Sequence, residues 1–194
     1  IKNSKDKFKK FMPSSFGGGK GFFIFFLILI GLWLATGISR VNPQEQGVVL
    51  RFGEWVRTTD PGLHYHLPSP IEKVITPDVT RENKLEIGYR AFGGGNSNRR
   101  DVPDESKMIT GDENNIDIDF VVFWKISDAG KYLFNLQDPP ETVKVAAQSI
   151  MRDIIGQTKI QTALTEGRQN IQLKAKSLLQ DLLILYEAGV EVRD

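Results

Sequence analysis

A run of 19 residues without a charged side chain, residues 21–39, constrains this chain more than any other stretch. Its sequence is almost wholly apolar: GFFIFFLILIGLWLATGIS. A helix rises about 1.5 Å per residue, so a helix of this length extends roughly 30 Å, the thickness of a bilayer's hydrocarbon core. Because a bilayer offers the backbone no water, a helix that satisfies its own N–H and C=O groups suits that environment. We therefore predict a single N-terminal transmembrane helix over residues 21–39.

Two other interpretations of this run remain open at the level of sequence. One is a buried core helix, although core helices rarely need so long a stretch without charge. The other is the apolar region of a cleaved signal peptide, because basic residues precede the run. Against that, the run is longer than the usual apolar region of a signal peptide, and residues 36–39 form only a weak cleavage site. A retained anchor is therefore the favoured interpretation.

Lysine is distributed unequally on the two sides of the apolar run. Six lysines precede it: Lys2, Lys5, Lys7, Lys9, Lys10 and Lys20. Only Asp6 opposes them, and Arg40 stands alone just after the run. Short flanks rich in lysine remain on the cytoplasmic side, where anionic headgroups also attract them. We therefore predict a cytoplasmic basic, glycine-rich tail over residues 1–20 and a domain outside the cytoplasm from residue 41 onward.

The charge of the remaining chain limits its possible partners. The whole chain of 194 residues has a formal net charge of +1, but the first 40 residues hold most of the surplus lysine and the rest is acidic. An acidic outer domain argues against nucleic acid as a partner. The absence of cysteine excludes disulfides, cysteine-based zinc sites and thiol catalysis. Because the chain opens on Ile1 and stops at Asp194 directly after an alternating run, we interpret it as a fragment of a longer protein.

Alternating apolar and polar residues predict short strands. Five are expected before the helical part of the chain: residues 47–53, 63–67, 71–75, 108–110 and 116–126. In the last of these, every second residue from Ile116 to Ile126 is apolar, so one face of a continuous strand should be buried. The sequence Asp60-Pro61-Gly62 predicts a turn with positive φ at Gly62.

Helices dominate the second half of the chain. Three are predicted: a short one capped by Ser127 or Asp128 and ending at Phe134, one from Asp138 to Gly156, and one from near Thr162 or Thr165 through Tyr186. Gly189 is the expected C-cap of the third helix, and Val190 opens a last strand.

These elements predict an α+β fold, in which a small antiparallel-rich sheet with packed helices follows the transmembrane helix. The domain over residues 41–194 is expected to have a strand-rich first part, residues 41–110, and a second part of strand plus helices, residues 111–194.

The two histidines are the first candidates for a metal site. His64 and His66 stand two residues apart, so on a strand they share a face. A catalytic zinc site needs a third ligand and an open position, and the sequence has neither a third histidine nor an HExxH motif. We interpret both as partly exposed strand residues and predict no metal site.

Three other groups of polar residues are candidates for a functional site. The glycine-rich stretch at 89–101 lacks the lysine and the strand-then-helix setting of a phosphate loop, so a surface loop is favoured. The carboxylates of Asp112, Glu113, Asp117 and Asp119 fit the solvated side of a half-buried strand better than an acid–base cluster. Arg168 can bind an anion, but a pair with a nearby carboxylate is favoured. We predict no catalytic residue, no cofactor and no enzymatic activity.

Several motifs in order resemble the SPFH family, which comprises stomatins, prohibitins, flotillins and the HflK and HflC proteins. The resemblance begins with residues 45–53, EQGVVLRFG, and Asp60-Pro61-Gly62-Leu63-His64. Residues 112–114, the alternating strand after them, and residues 131–134 and 164–168 resemble the HflK branch in particular. The glycine-rich tail before the anchor and the insertion at 88–107 also fit that branch. The family continues past the strand at Val190 into a long helix, which this chain does not reach.

The resemblance implies a membrane-anchored scaffold. HflK-like proteins form a hetero-oligomeric ring with an HflC-like protein on the outer face of the bacterial inner membrane, and they enclose and regulate FtsH, a membrane AAA protease. The expected location is therefore the inner membrane, crossed once, with a periplasmic main domain. Two other classes stay open: a stomatin-like organiser of membrane microdomains without a protease partner, and a membrane-tethered hydrolase that uses His64 and His66.

Overall fold

A computed structural model describes residues 19–91, 99–165 and 167–193 of the protein. Its first element is helix α1, Gly19–Ala35. The helix is shorter at its end than the sequence predicts, because Gly37 turns the chain into strand β1, Ile38–Val41, and accepts a hydrogen bond from the His66 N–H on its carbonyl (2.8 Å). Among the described residues, no helix combines the length and the hydropathy that crossing a membrane requires. Residues 1–18 of the predicted tail lie outside the described residues.

The first half of the chain forms a three-stranded antiparallel sheet and a two-stranded ribbon. The sheet has the order β3-β2-β5, with β2 (Gly47–Arg51) between β3 (Glu54–Thr59) and β5 (Glu72–Ile75). The ribbon pairs β1 with β4, Gly62–Tyr65. The positive φ predicted for Gly62 is confirmed at 144°. The strands β1 and β3 had no sequence prediction, since exposed polar residues interrupt the apolar pattern in both.

A second three-stranded antiparallel sheet joins distant parts of the chain. Its order is β12-β11-β6, with β6 at Asn83–Ile87, β11 at Phe120–Ile126 and β12 at Val190–Val192. Because β6 precedes residue 110 and β11 follows it, this sheet connects the two predicted parts of the domain. Their exact division remains a prediction.

The insertion between β6 and β11 has its own small elements. They are β7 (Tyr89–Ala91), β8 (Arg99–Asp101), α2 (Pro103–Ser106), β9 (Lys107–Ile109) and β10 (Asn115–Asp117). β7 pairs with β8, and β9 with β10, both antiparallel. The prediction of one continuous strand over residues 116–126 is therefore wrong. The chain changes partners at Ile118, whose N–H donates to the Ser106 carbonyl (3.0 Å), so the alternating run serves two sheets.

The predicted helix starts at Asp128 and Asp138 are confirmed. Asp128 accepts hydrogen bonds from the N–H groups of Gly130 and Lys131 and caps α3, Ala129–Phe134. Asp138 accepts one from the Glu141 N–H and caps α4, Pro139–Gly156. These caps satisfy N–H groups that have no partner inside the helix.

The third predicted helix is two helices, α5 (Ile160–Leu164) and α6 (Gly167–Leu185). Thr165 takes non-helical angles (φ −119°, ψ −123°), and a Cβ at Gly167 would overlap the Thr162 carbonyl, so only glycine fits this corner. The predicted C-cap at Gly189 is also wrong in position. Glu187 (φ 49°) takes the left-handed conformation after α6, while Gly189 (φ 64°) leads into β12.

Two apolar clusters hold these elements together. The larger unites buried residues of both three-stranded sheets with α4 and α6, and it includes Val48, Ile87, Trp124, Val143 and Leu183. The smaller joins Met108 of β9 to residues of α4 and α5: Met151, Ile155 and Ala163. The predicted α+β class is confirmed, with several small antiparallel sheets in place of one.

Candidate interaction surfaces

Helix α1 is attached to the rest of the chain by hydrogen bonds from two aromatic side chains. The Trp33 Nε1–H donates to the Ser69 carbonyl (3.1 Å), and the Tyr65 hydroxyl donates to the Leu34 carbonyl (3.1 Å). A Cβ at Gly37 would overlap the His66 carbonyl, so the chain between helix and ribbon passes very close to β4. The helix is therefore fixed in direction relative to the first sheet.

An apolar face of the β1–β4 ribbon lies directly beside this attachment. Ile38 is opposite Tyr65 in the ribbon, and Arg40 is opposite Leu63, so these side chains share one face. Ile38 is 67% exposed and Leu63 75% exposed. We call Ile38, Leu63 and Tyr65 the ribbon face. On α1 itself, the eight consecutive large apolar side chains from Phe22 to Leu29 are 51–73% exposed. Apolar surface of this extent marks a site of interaction.

A buried carboxylate holds the first sheet together next to the ribbon. The side chain of Glu72 is 1% exposed and accepts hydrogen bonds from Arg51 Nη2 (2.8 Å) and from the Leu67 N–H (2.8 Å). Arg57 Nη2 lies 3.7 Å from its other oxygen. Burial by itself raises the pKa of Glu72, but the hydrogen bonds from Arg51 and Leu67 and the charge of Arg57 outweigh it, so the pKa lies below its usual value.

An open groove of about 380 Å³ lies between β11 and the helices. It is lined by the continuous stretch from Ile116 to Val122, by Val192 of β12, and by residues of α4, α5 and α6. Apolar side chains predominate, including Ile150, Met151, Ile171 and Ala175, while Arg168 and Gln172 also contribute to the lining. We call this cavity the β11 groove.

An ion cluster in the insertion had no sequence signal, because its members are far apart in the chain. Glu105, 13% exposed, accepts from Arg90 Nη2 (2.6 Å), from Arg90 Nη1 (2.9 Å) and from the Gly88 N–H (3.2 Å). Lys144 Nζ of α4 lies 3.0 Å from the same carboxylate. The hydrogen bond from Arg90 is the main cause that lowers the pKa of Glu105 to about 2. The cluster ties the insertion to α4.

Each histidine ring contacts a backbone carbonyl close to it in the chain. His64 Nε2 lies 2.7 Å from the Asp60 carbonyl, and His66 Nδ1 lies 2.9 Å from the Leu67 carbonyl. Within the described part of the chain, no group of three histidine, aspartate or glutamate side chains is placed to hold a metal ion. The structure therefore gives both rings local partners, and the absence of a metal site stays a prediction.

The acidic residues that were candidates for an acid–base cluster contact different structural partners. Asp112 accepts hydrogen bonds from the Thr110 hydroxyl (2.6 Å) and from the Ile160 N–H (3.0 Å), and the first of these is the main cause that lowers its pKa. Asp117 accepts from the Ser106 hydroxyl (3.0 Å), and Asp119 pairs with Arg99. Glu113 is exposed in a turn with φ 62°. Of the four carboxylates, only Asp117 lies in a strand, so the prediction that they share the solvated side of one strand is wrong. That none of them is catalytic stays a prediction.

The remaining candidates are only partly described. Arg168 is exposed at the β11 groove, whereas the neighbouring Glu166 lies outside the described residues. The centre of the glycine-rich stretch, residues 92–98, also lies outside them. Its two flanks pair as β7 and β8, and Arg99 stacks over the Tyr89 ring at 4.2 Å from the centroid.

The fold and its surfaces define a class of protein: an α+β domain that carries an exposed apolar helix at one end and apolar interaction surfaces along its strands. The model of the SPFH domain / Band 7 family matches residues 39–194, and the chain belongs to this family.

Among curated proteins, the chain is similar to several named HflK. It is 34% identical to Protein HflK of Borreliella burgdorferi over 86% of this chain and 53% of that protein. It is 32% identical to Protein HflK of Treponema pallidum over 86% of this chain and 51% of that protein. It is 26% identical to the Modulator of FtsH protease HflK of Escherichia coli over 91% of this chain and 38% of that protein. The predicted resemblance to the HflK branch is confirmed. The chain spans about half the length, or less, of these relatives.

Proposed function

We propose that this chain is part of a membrane-anchored scaffold subunit that regulates a membrane AAA protease of the FtsH type. The observation that carries the proposal is the similarity to HflK proteins over most of the chain, one of which is named a modulator of FtsH protease. The match to the SPFH domain / Band 7 family over residues 39–194 supports the same proposal. In this proposal, the chain acts through its surfaces and not as an enzyme.

The proposed anchor is the apolar run over residues 21–39, most of which lies in α1. The eight large apolar side chains at Phe22–Leu29 are more than half exposed, and water would have to solvate them if no lipid or protein covered them. The ribbon face adds Ile38 and Leu63 on the adjoining strands. Trp33 and Tyr65, which bond to the backbone where helix and ribbon meet, are of the types enriched at membrane interfaces. We place this junction at the outer surface of a bacterial inner membrane.

The proposed orientation is an N-terminus in the cytoplasm and a domain from Val41 onward in the periplasm. It rests on the lysines that precede the run, opposed by Asp6 alone, with only Arg40 directly after it. A reporter enzyme that is active only in the periplasm, fused after Asp194, should be active. A reporter active only in the cytoplasm should be silent at the same position, and full expression of both fusions serves as the control. The opposite pattern would reverse the orientation.

The proposed partners are an HflC-like protein and the protease itself, arranged in a hetero-oligomeric ring. Exposed apolar side chains on α6, such as Leu173 (60%) and Ile184 (63%), provide surface for a neighbouring subunit. A stomatin-like organiser without a protease partner would use the same anchor and similar surfaces, so partner identity discriminates between the two functions.

Affinity purification of the tagged full-length protein from native membranes, followed by mass spectrometry, tests the proposal. We expect an HflC-like protein and an FtsH-type protease to be enriched together. Deleting the gene should also change the degradation rate of a membrane substrate of that protease. A matched control with α1 replaced by an unrelated transmembrane helix distinguishes capture through the periplasmic domain from capture through the anchor. Recovery of neither protein, with an unchanged degradation rate, would contradict the proposal.

A further inference from the structure

Arg51 and Arg57 of the first sheet converge on a single carboxylate, that of the buried Glu72. Arg51 donates to Glu72 Oε1 through Nε (3.1 Å) and through Nη2 (2.8 Å). Arg57 Nη2 lies 3.7 Å from the other oxygen, which is too far for a hydrogen bond, and donates instead to the Tyr65 carbonyl (3.1 Å). Arg51 therefore offsets the charge of Glu72, and the charge of Arg57 is in excess. We call Arg51 and Arg57 the arginine pair.

Both guanidinium groups of the arginine pair remain open to solvent. The side chain of Arg51 is 45% exposed and that of Arg57 is 41% exposed. Nη1 of each arginine donates to no atom of the described residues. Glu54 is opposite Arg51 in the ladder, but within the described part of the chain it forms no ion pair with either arginine. Two guanidinium groups with unused N–H donors and excess positive charge form an arrangement that suits a phosphate group.

The arginine pair lies close to the outer end of α1. Tyr65 connects the two, because its hydroxyl donates to the Leu34 carbonyl of α1 (3.1 Å) and its own carbonyl accepts from Arg57. The loop after Tyr65 contacts the same end of the helix through the hydrogen bond from Trp33 to Ser69. The guanidinium group of Arg57 is therefore separated from the end of α1 by about the length of one tyrosine. In the proposed orientation, the arginine pair lies at the level of the headgroups of the outer leaflet.

Exposed apolar side chains lie beside the arginine pair. Phe52 directly follows Arg51, is 77% exposed, and donates from its N–H to the Ile71 carbonyl (3.0 Å). Its φ of 52° is in the left-handed region, which is uncommon for a bulky residue. The ribbon face adjoins the same end of α1. A phospholipid offers acyl chains to these apolar groups and a phosphate to the arginines, whereas a free phosphate ion leaves the apolar groups in water.

We propose that the arginine pair binds the phosphate group of an anionic phospholipid in the outer leaflet. An anionic headgroup is favoured over a zwitterionic one, because the ammonium group of choline or ethanolamine is repelled by the excess charge of Arg57. Glu72 sets the charge of the site, since it offsets one of the two arginines. The proposal rests on the anchor in the proposed function, but it requires neither the HflC-like protein nor the protease.

Quenching of the fluorescence of Trp33 measures which lipid lies beside the site. The full-length protein is reconstituted in vesicles of phosphatidylcholine and phosphatidylglycerol, with bromine on the acyl chains of one lipid or of the other. Bromine quenches only nearby indole rings, so lipids bound by the lysines of the tail on the opposite leaflet do not contribute. The Trp33→Phe protein gives the background from the other tryptophans. We expect phosphatidylglycerol to be preferred about fivefold, the factor that two unit charges about 4 Å apart contribute in water. Equal quenching by the two lipids would overturn the proposal.

Two substitutions at the site should change this preference in opposite directions. Arg57→Gln removes the excess charge while Arg51 still pairs with Glu72, so the preference should fall to about one. Glu72→Gln leaves both arginine charges without an offset, so the preference should rise above that of the native protein. Arg81→Gln is the matched control, because this exposed arginine lies beyond the other end of β5, and it should leave the preference unchanged.

A purely structural role of the arginine pair predicts a different result. In that case, Glu72→Gln would lower the preference or leave it unaltered, because it removes the carboxylate that orders both arginines. Near-ultraviolet circular dichroism shows whether each variant is folded. An unaltered preference in folded Arg57→Gln, or a preference that does not rise in folded Glu72→Gln, would overturn the proposal.

Inorganic phosphate on both sides of the vesicles distinguishes the lipid from a free anion. We expect the quenching to stay unchanged, because the membrane keeps the lipid at a high effective concentration beside the site. Fluorescence that is restored by phosphate, but not by sodium chloride of the same ionic strength, would assign the arginine pair to soluble phosphate and overturn the lipid assignment. A protein that shows the lipid preference but recovers neither proposed partner from native membranes would keep this site and contradict the proposed function alone.

Discussion

The indole ring of Trp55 stacks on the ring of Phe134, with ring centroids 6.2 Å apart and 14° between the ring planes. Trp55 belongs to β3 of the first sheet and Phe134 to α3, which follows β11 of the second sheet. The stack therefore connects the two halves of the domain. Gly130 on α3 allows it, because a Cβ at this position would overlap the Trp55 ring.

Gly130→Ala should destabilise the protein by about 1–3 kcal/mol, since the rigid indole cannot move aside without losing its stack. Alanine normally stabilises a helix relative to glycine. A loss of stability in Gly130→Ala would therefore come from the contact with the Trp55 ring. Gly156→Ala is the matched control, because a Cβ there meets no atom closer than 4.0 Å. Thermal or chemical unfolding of the two variants checks the prediction. Equal stabilities would mean that the indole can be displaced at little cost.

Glu72→Gln should destabilise the first sheet by about 2 kcal/mol, because it removes the charge that Arg51 and Arg57 surround while leaving a buried polar group. The two arginines are partly exposed, so water recovers some of their lost interaction and the cost stays below that of a fully buried pair. Glu54→Gln changes an exposed carboxylate of β3 and should have an effect within about 0.5 kcal/mol. Urea unfolding at pH 7 compares the variants, and similar midpoints would show that the carboxylate charge contributes little.

Glu105 makes stability depend on pH in the acid range. Its folded pKa of about 2 lies below the usual 4.5, so its contribution is present above pH 4.5 and is lost as the pH falls toward 2. Glu105→Gln should therefore lower the free energy of unfolding at pH 7 by about 1–2 kcal/mol, allowing for screening at the partly exposed Arg90. The difference from the native chain should vanish near pH 2. Urea unfolding between pH 2 and pH 7 measures it.

The control for this prediction is Asp104→Asn, which changes the neighbouring, exposed carboxylate. Its unfolding free energy should follow the native chain across the same pH range. A pH dependence that Glu105→Gln leaves unaltered would assign the acid sensitivity to other groups.

Replacing His64 and His66 together by glutamine should leave the metal content unchanged and, under the proposed function, also the regulation of the FtsH-type protease. Each ring contacts a backbone carbonyl within four residues of it, so the double substitution removes local hydrogen bonds only. Metal analysis of the purified native and double-variant proteins checks this expectation. Stoichiometric zinc in the native protein that is lost in the variant would instead favour the tethered hydrolase.

Local signals in the sequence predicted the helix starts well. Asp128 and Asp138 act through N–H groups two or three residues away, so their effect is contained in a short stretch. The positive φ at Gly62 follows from the same kind of local chemistry. The motifs that resemble the SPFH family were also readable, because their order and spacing are properties of the chain itself.

The break in the alternating run at Ile118 was not predictable, since periodicity reports which side chains are buried and not which strand is the partner. Residues before and after Ile118 keep the same alternation while they pair with β9 and β6 respectively. The break between α5 and α6 has a similar origin, because the apolar spacing continues across it and only the close approach of Gly167 to Thr162 requires the corner.

The sequence by itself determined the family of this protein and part of its local structure: an apolar run with lysines before it, capped helix starts, and a series of SPFH motifs in order. The tertiary structure decided which of these meet. The cluster of Arg90, Glu105 and Lys144, the stack of Trp55 on Phe134, and the β11 groove all join residues distant in the chain. The physical reason is that caps and turns depend on neighbours a few residues away, whereas ion pairs, ring stacks and strand edges depend on how whole elements pack.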